Sequence, residues 1–174
     1  MRLNINNDNI LYNDWENIQF KKWNLAAPGE WEDLYESDSI DAILAENIWE
    51  YMSCEEGLEA VKNCYKFLKP GGYIRCSVPD KNFKNEWYQN IMKFGGLDHS
   101  EHKANYDYKT FKDLFEKAGF TVKLLEYCDE DGDFHYVEWD KADGMISRSY
   151  RFHKTNNMDS LKAVSIIIDA KKEM

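Results

Sequence analysis

Asp98, His99, Glu101 and His102 place two imidazoles three residues apart beside carboxylates, the donor types of a zinc centre. Nothing nearby fixes a third His or Cys ligand, and Gly95-Gly96 just upstream marks a mobile loop. A lid over a cleft and a solvated loop are therefore the competing readings, and no metal is expected. Asp129, Asp131 and Asp133 alternate like the start of a calcium loop, but the glycine stands at Gly132 and not at the sixth position, which leaves a charged hairpin tip. Trp87, Tyr88, Tyr106 and Tyr108 supply aromatic surface, as core packing or as a cleft wall. His135 and Trp139, four apart, fall on one face of a strand, and Arg148, Arg151 and His153 read as a surface loop. Cys54, Cys64, Cys76 and Cys128 form no C-x-x-C pair and read as small buried hydrophobes in a reducing compartment.

The elements that must position these groups are clearest in the middle of the chain. Ser39 to Ala45 is a short apolar run that suits a strand buried on both faces. Ser53 and Glu56 make a capping box, and Leu58, Val61, Tyr65 and Leu68 recur at helical spacing behind it. Pro70-Gly71-Gly72 stops that helix in a type II turn, and Tyr73 to Val78 is the next strand. Strand, helix, turn, strand predicts a βαβ unit with parallel strands. Thr110 and Asp113 look like a second capping signal for a helix lined by Phe111, Leu114, Phe115 and Ala118 and ended by Gly119. Thr121 to Tyr127 reads as a strand, Asp131-Gly132 as a hairpin turn, Phe134 to Trp139 as the returning strand, and Ala163 to Ala170 as the last strand. Earlier, Arg2 to Ile5 and Ile18 to Trp23 read as strands and Glu30 to Tyr35 as a helical turn or two. The expectation is one α/β domain over residues 1–174, mostly parallel, with an antiparallel C-terminal strand.

Composition narrows the function. The chain has 174 residues, 43% of them hydrophobic, and a formal net charge of −10. Such a surface repels phosphates, so neither nucleic acid nor an anionic membrane is an expected partner. The start lacks the basic end and apolar run of a signal peptide, and no stretch approaches the ~20 apolar residues of a membrane span. A soluble, cytoplasmic protein is expected.

Ser39-Ile40-Asp41-Ala42-Ile43-Leu44-Ala45-Glu46, a helix, and then Leu68-Lys69-Pro70-Gly71-Gly72-Tyr73-Ile74-Arg75 resemble the class I S-adenosylmethionine-dependent methyltransferases, in which a D-S-F-D-x-V strand precedes an L-K-P-G-G-x-L turn. Phe111 to Phe120, F-x-x-L-F-x-x-A-G-F, is similar to the helix before that family's sixth strand. The resemblance implies a Rossmann-like sheet binding S-adenosylmethionine beyond the carboxyl ends of its first strands, with a small-molecule methyl acceptor. It places the cofactor against Asn6, Asp8, Gln19, Asn24, Leu25, Glu46 and Asn47, and gives Glu46 a ligand hydroxyl or amine to hold or a helix to cap. A cation–π contact from the aromatic residues to the sulfonium is a further implication. No single side chain is assigned as catalytic.

Two departures from that family bear on activity. Asn6-Asn7-Asp8-Asn9 stands where the family has G-x-G-x-G, and Gln19 stands in place of the acid that binds the ribose. In the loop that often reads A-E-H-x-x-E-H among small relatives, Asn47 and Tyr51 replace both histidines. Only 33 residues separate Asn6 from Ile40, whereas three crossovers at roughly 30 residues each would take about 90. An abbreviated N-terminal half is therefore expected, with at least one helix missing. Two functions follow: a methyltransferase with weakened or lost cofactor binding, or a non-catalytic relative serving as a binding or regulatory partner. Trp15, Trp23 and Trp31 in the shortened region would be exposed by the missing helices, so a homodimer through the N-terminal half is expected.

Overall fold

The computed structural model describes residues 1–6, 12–92, 101–156 and 161–174. Along the chain lie β1 (Arg2–Asn6), β2 (Glu16–Gln19), α1 (Pro28–Glu32), β3 (Ile40–Glu46), α2 (Cys54–Phe67), β4 (Leu68–Pro79), α3 (Glu86–Met92), α4 (Tyr108–Glu116), β5 (Thr121–Cys128), β6 (Phe134–Tyr136) and β7 (Ser165–Lys171). The described residues form a seven-stranded sheet in the order β2-β1-β3-β4-β7-β5-β6. Pairs β1/β2, β1/β3 and β3/β4 are parallel. The C-terminal strand β7 lies inside the sheet, antiparallel to both β4 and β5. No helix of the described residues is long and apolar enough to cross a membrane.

The β3–α2–β4 unit forms as its residues dictate. Ser53 Oγ accepts from the Glu56 N–H at 3.2 Å and Glu56 Oε2 accepts from the Ser53 N–H at 2.7 Å, closing the capping box. Gly57, Ala60, Val61, Cys64 and Phe67 make the buried stripe of α2. Leu68 pairs with Ile40 and Tyr73 with Ala42, so Lys69 to Gly72 loop out between two paired positions. Gly71 turns there at φ 84°, and a Cβ on Gly72 would lie 2.9 Å from the Asp41 and Lys69 carbonyl oxygens.

Strand alternation gives the sheet two apolar faces. One carries Ile43, Ala45, Ile74, Cys76, Ile166 and Ile168, and meets Trp31, Val61, Phe67, Phe111 and Phe115 of α1, α2 and α4. The other carries Ala42, Leu44, Leu125 and Ile167, and meets no α-helix among the described residues. Trp15, Trp139 and Ile146, with Tyr12 and Phe152 packed against them, cover it instead. The covering residues come from the β1–β2 connection and from an irregular strap, residues 137–152, between β6 and β7.

Charged and polar groups on the sheet hold the strap down. The Arg75 guanidinium, 2% exposed, donates from Nε and Nη2 to the two Asp169 oxygens at 2.7 and 2.8 Å. Its Nη1 donates to the carbonyls of Asp140 at 2.6 Å and Gly144 at 2.8 Å, and its plane lies 4.9 Å from the Trp139 ring. Glu126, also buried, accepts from Trp139 Nε1 at 2.9 Å and from the Tyr150 N–H at 2.8 Å. Tyr73 and Tyr12 hydroxyls donate to the Asp143 and Met145 carbonyls. Gly144 crosses Leu44 at φ 122°, where a Cβ would come within 3.0 Å of the leucine.

The β1–β2 connection is only residues 7–15, shorter than the dozen or more residues that a crossover between parallel strands usually takes. Asn17 organises its described end with a saturated amide: Nδ2 donates to the Tyr12 and Trp15 carbonyls, and Oδ1 accepts from the Tyr12 N–H and Asn4 Nδ2.

Four expectations are corrected. The cap of α4 is Asp107, with Thr110 as its partner in a capping box that begins one turn earlier than the sequence pattern suggested. Strand β2 ends at Gln19 because Phe20–Lys22 form a 3-10 turn. Strand β6 ends at Tyr136, so Trp139 belongs to the strap and shares no strand face with His135. Trp15, Trp23 and Trp31 are 9%, 6% and 0% exposed, because Trp15 packs under the strap while Trp23 packs on Trp31 of α1 and Trp31 on Phe67 of α2. The exposed aromatic surface from which self-association was expected is therefore absent at these three residues.

If Arg75 secures the strap, Arg75→Met leaves Asp169 and two strap carbonyls without their donor, and should lower unfolding stability by about 3 kcal/mol in denaturant titration. A loss below about 1 kcal/mol would show that apolar contacts alone hold the second face.

Candidate functional site

The parallel strands end together at one edge of the sheet, where open α/β folds take ligands. Pairing sets Asn6 of β1 opposite Gln19 of β2 and Ile5 opposite Ala45 of β3, so Asn6, Gln19 and Glu46 converge there. Asn47 follows at φ 53°, a left-handed conformation that Asn tolerates better than most residues. Its N–H donates to the Ser77 carbonyl and its Oδ1 accepts from Ser77 Oγ, both at 3.0 Å, which ties the end of β3 to β4. Asp8, with Asn7 and Asn9, lies outside the described residues.

Glu46 is half-buried, caps no described helix and is bonded to the strap. Its Oε1 accepts from Ser147 Oγ and from the Arg148 N–H, each at 2.7 Å, and its Oε2 from the Ser147 N–H at 3.0 Å. The strap thus crosses the carboxyl end of β3. His153 lies next to this crossing, its pKa lowered by burial and by Arg148 and Lys154, with Glu46 opposing. Asn47 Nδ2 and Ser149 Oγ are buried without a partner among the described residues.

Asn24 and Leu25 belong to the connection between β2 and α1. Asn24 closes an Asx turn, its Oδ1 accepting from the Ala26 N–H at 3.1 Å. The Leu25 side chain is buried in the helical-face core, and its carbonyl accepts from Trp31 Nε1 at 2.9 Å and Asn63 Nδ2 at 2.8 Å. Of the aromatic group, Tyr88 and Tyr106 are buried while Trp87 is 69% exposed. His102 is buried edge-on against Tyr51 at 4.8 Å; Asp98 and His99 lie outside the described residues.

Sequence reasoning missed Ser77 and Ser147 and read Arg148 as surface loop, since their partners are far along the chain, and it missed Asp80. The last had a signal, an acid directly past an apolar strand. Asp80 is 1% exposed at the end of β4, and burial pushes its carboxyl up to about 6, against the Cys128 and Asn82 N–H groups that it accepts at 2.6 and 2.8 Å.

With this geometry in place, the class is an α/β methyltransferase fold. A family model described as a methyltransferase domain matches residues 4–125, and the chain belongs to that family. Among solved structures it is similar to a SAM-dependent methyltransferase from Archaeoglobus fulgidus, at 16% identity and TM-score 0.58, covering 97% of this chain and 74% of that one. A SAM-dependent methyltransferase from Methanosarcina mazei is similar at 13% identity and TM-score 0.53, covering 92% of this chain and 68% of that one. The CurJ carbon methyltransferase is similar at 15% identity and TM-score 0.51; this chain, 92% covered, spans only 35% of it. No curated protein sequence matches the chain.

Asp80 makes stability depend on pH. Its folded pKa lies above the ~3.9 of an unfolded aspartate, so its favourable contribution is complete below about pH 4 and is lost as pH rises through about 6. Between pH 4 and pH 7, Asp80→Asn should therefore gain up to about 3 kcal/mol relative to the unsubstituted protein in denaturant titrations. A difference independent of pH would contradict this assignment.

Proposed function

We propose that this chain is a non-catalytic member of the methyltransferase-domain family, a binding or regulatory relative that takes S-adenosylmethionine weakly or not at all. The observation that carries this reading is the occupation of Glu46 by Ser147 and Arg148. A ligand hydroxyl or amine would have to share that carboxylate with two backbone amides and a hydroxyl, which leave it one acceptor position, on Oε2. The remaining wall adds little. Asn47 Oδ1 is held by Ser77 Oγ, and the Leu25 carbonyl is engaged by Trp31 and Asn63. Gln19 carries an amide without charge, and the run Asn6-Asn7-Asp8-Asn9 has no glycine where the resemblance expects a glycine-rich loop. Asn47 Nδ2 and Ser149 Oγ suit water or one small polar group, not a carboxylate, a ribose and an adenine together.

The second reading, an active methyltransferase with a small-molecule acceptor, has one observation in its favour, the family match across β1, β3 and β4. In it, Glu46 and Asn47 would position the acceptor after the strap withdraws, and proximity would supply the rate.

Calorimetric titration with S-adenosylmethionine and S-adenosylhomocysteine separates the two. Non-catalytic function predicts no saturable heat, or a Kd weaker than about 1 μM; a Kd at or below about 1 μM, worth roughly 8 kcal/mol, would overturn it.

A further inference from the structure

Strand β6 is one edge of the sheet, and no strand of the described residues pairs with its outer side. Val137 N–H donates to the Leu125 carbonyl and Asp129 N–H to the Asp133 carbonyl, so residues 133, 135 and 137 face β5. By antiparallel alternation, the backbone N–H and C=O groups of Phe134 and Tyr136 point outward, and no described residue bonds them. Side chains around this edge are apolar and open. Tyr136 is 53% and Val137 42% exposed, among the few large apolar side chains so exposed. Phe134, Tyr136 and Tyr150 pack into one strip, with ring centroids 5.1 to 6.2 Å apart. An open groove of about 560 Å³ continues along the same run of chain, between Glu138 to Lys141 on one side and Arg151 and Phe152 on the other.

The charge around this edge indicates its occupant. Asp129, Glu130, Asp131, Asp133, Glu138, Asp140 and Asp143 cluster within fifteen residues that contain one lysine, Lys141. Lys109 engages Glu130, Lys84 Nζ donates to the Asp131 carbonyl, and Arg151, an exposed residue of the groove, gives Nη2 to the Trp139 carbonyl at 2.6 Å and lies over the Trp139 and Phe152 rings, so carboxylates still outnumber cations at this edge. A second copy of this chain would bring the same acidic residues against themselves, and a phosphate backbone would be repelled.

We propose that the β6 edge is a docking site for a basic, extended peptide segment of a partner protein, which adds a strand to the sheet beside Phe134 to Tyr136. Main-chain bonds to Phe134 and Tyr136 supply the register, the aromatic strip takes alternate apolar side chains, and the carboxylates select lysine and arginine at the others. This site is remote in sequence from the cofactor wall and stands whether or not S-adenosylmethionine binds, so its failure and that of the proposed function are separate outcomes.

The probe is a synthetic, fluorescently labelled peptide alternating lysine with valine, titrated by anisotropy against the whole protein. Controls are the same peptide N-methylated at alternate residues and a peptide alternating glutamate with valine. Saturable binding that weakens with salt, and at least tenfold weaker binding of both controls, is expected. Tyr136→Pro removes an outward N–H while sparing the bonds to β5, a position where an edge strand tolerates proline, and should also weaken binding at least tenfold. Should that variant fail to fold, the N-methylated peptide tests the same bonds on the unsubstituted protein. No binding of the lysine–valine peptide, or binding matched by either control peptide or by folded Tyr136→Pro, would overturn the proposal.

Discussion

A parallel sheet has two apolar faces, and each must be kept from water. This chain has α-helices for one of them. The second is sealed by an irregular strap whose backbone would be unsatisfied over an apolar surface, and the solution is a set of polar groups rising from the sheet itself. Arg75 is central among them. One guanidinium neutralises Asp169, takes two strap carbonyls and lies against Trp139, so charge, hydrogen bonding and packing are joined in a single side chain. Glu126 and Glu46 do the complementary work by accepting strap N–H groups.

That arrangement reaches the carboxyl end of the sheet. Because the strap has no hydrogen-bonded ladder of its own there, it is fixed through the Glu46 carboxylate, the group that the resemblance assigned to a ligand. Sealing the second face and freeing Glu46 are thus competing demands on the same side chain, and in this structure sealing wins. The short β1–β2 connection has the same character: Asn17 spends its whole amide on holding the turn, and Tyr12 and Trp15 from that turn help to cover the exposed face.

The parts of the fold legible in the sequence are those fixed by neighbours in the chain. Ser53 and Glu56 specify a helix start, Pro70 and Gly71 a turn, and the alternation around Ile43 and Ile74 a buried parallel pair. The strap was not legible, since its partners lie far away in sequence: Ser147 bonds Glu46 across 101 residues and Arg75 bonds Asp140 across 65. Residues 144–152 carry no period of two or of 3.6, so no pattern shows them as a layer of the core. Trp15, Trp23 and Trp31 were misread for the same reason, as uncovered residues rather than residues with a distant cover. At the candidate site, the resemblance grouped Asn6, Gln19, Glu46 and Asn47, and strand pairing sets the first three at neighbouring strand ends with Asn47 next; what each one bonds was not visible. Asp80 shows the reverse case, a local signal passed over because burial of its carboxylate depends on Cys128, a residue of another strand.

Hydrogen exchange resolved at single amides addresses the role of the strap most directly. The N–H groups of Val137, Ser147, Arg148 and Tyr150 bond Leu125, Glu46 and Glu126, and they should be protected to nearly the same free energy as the amides of β3 and β4. Exchange of these four at the rate of an unstructured loop, while β3 and β4 remain protected, would contradict a strap that serves as the second layer of the fold.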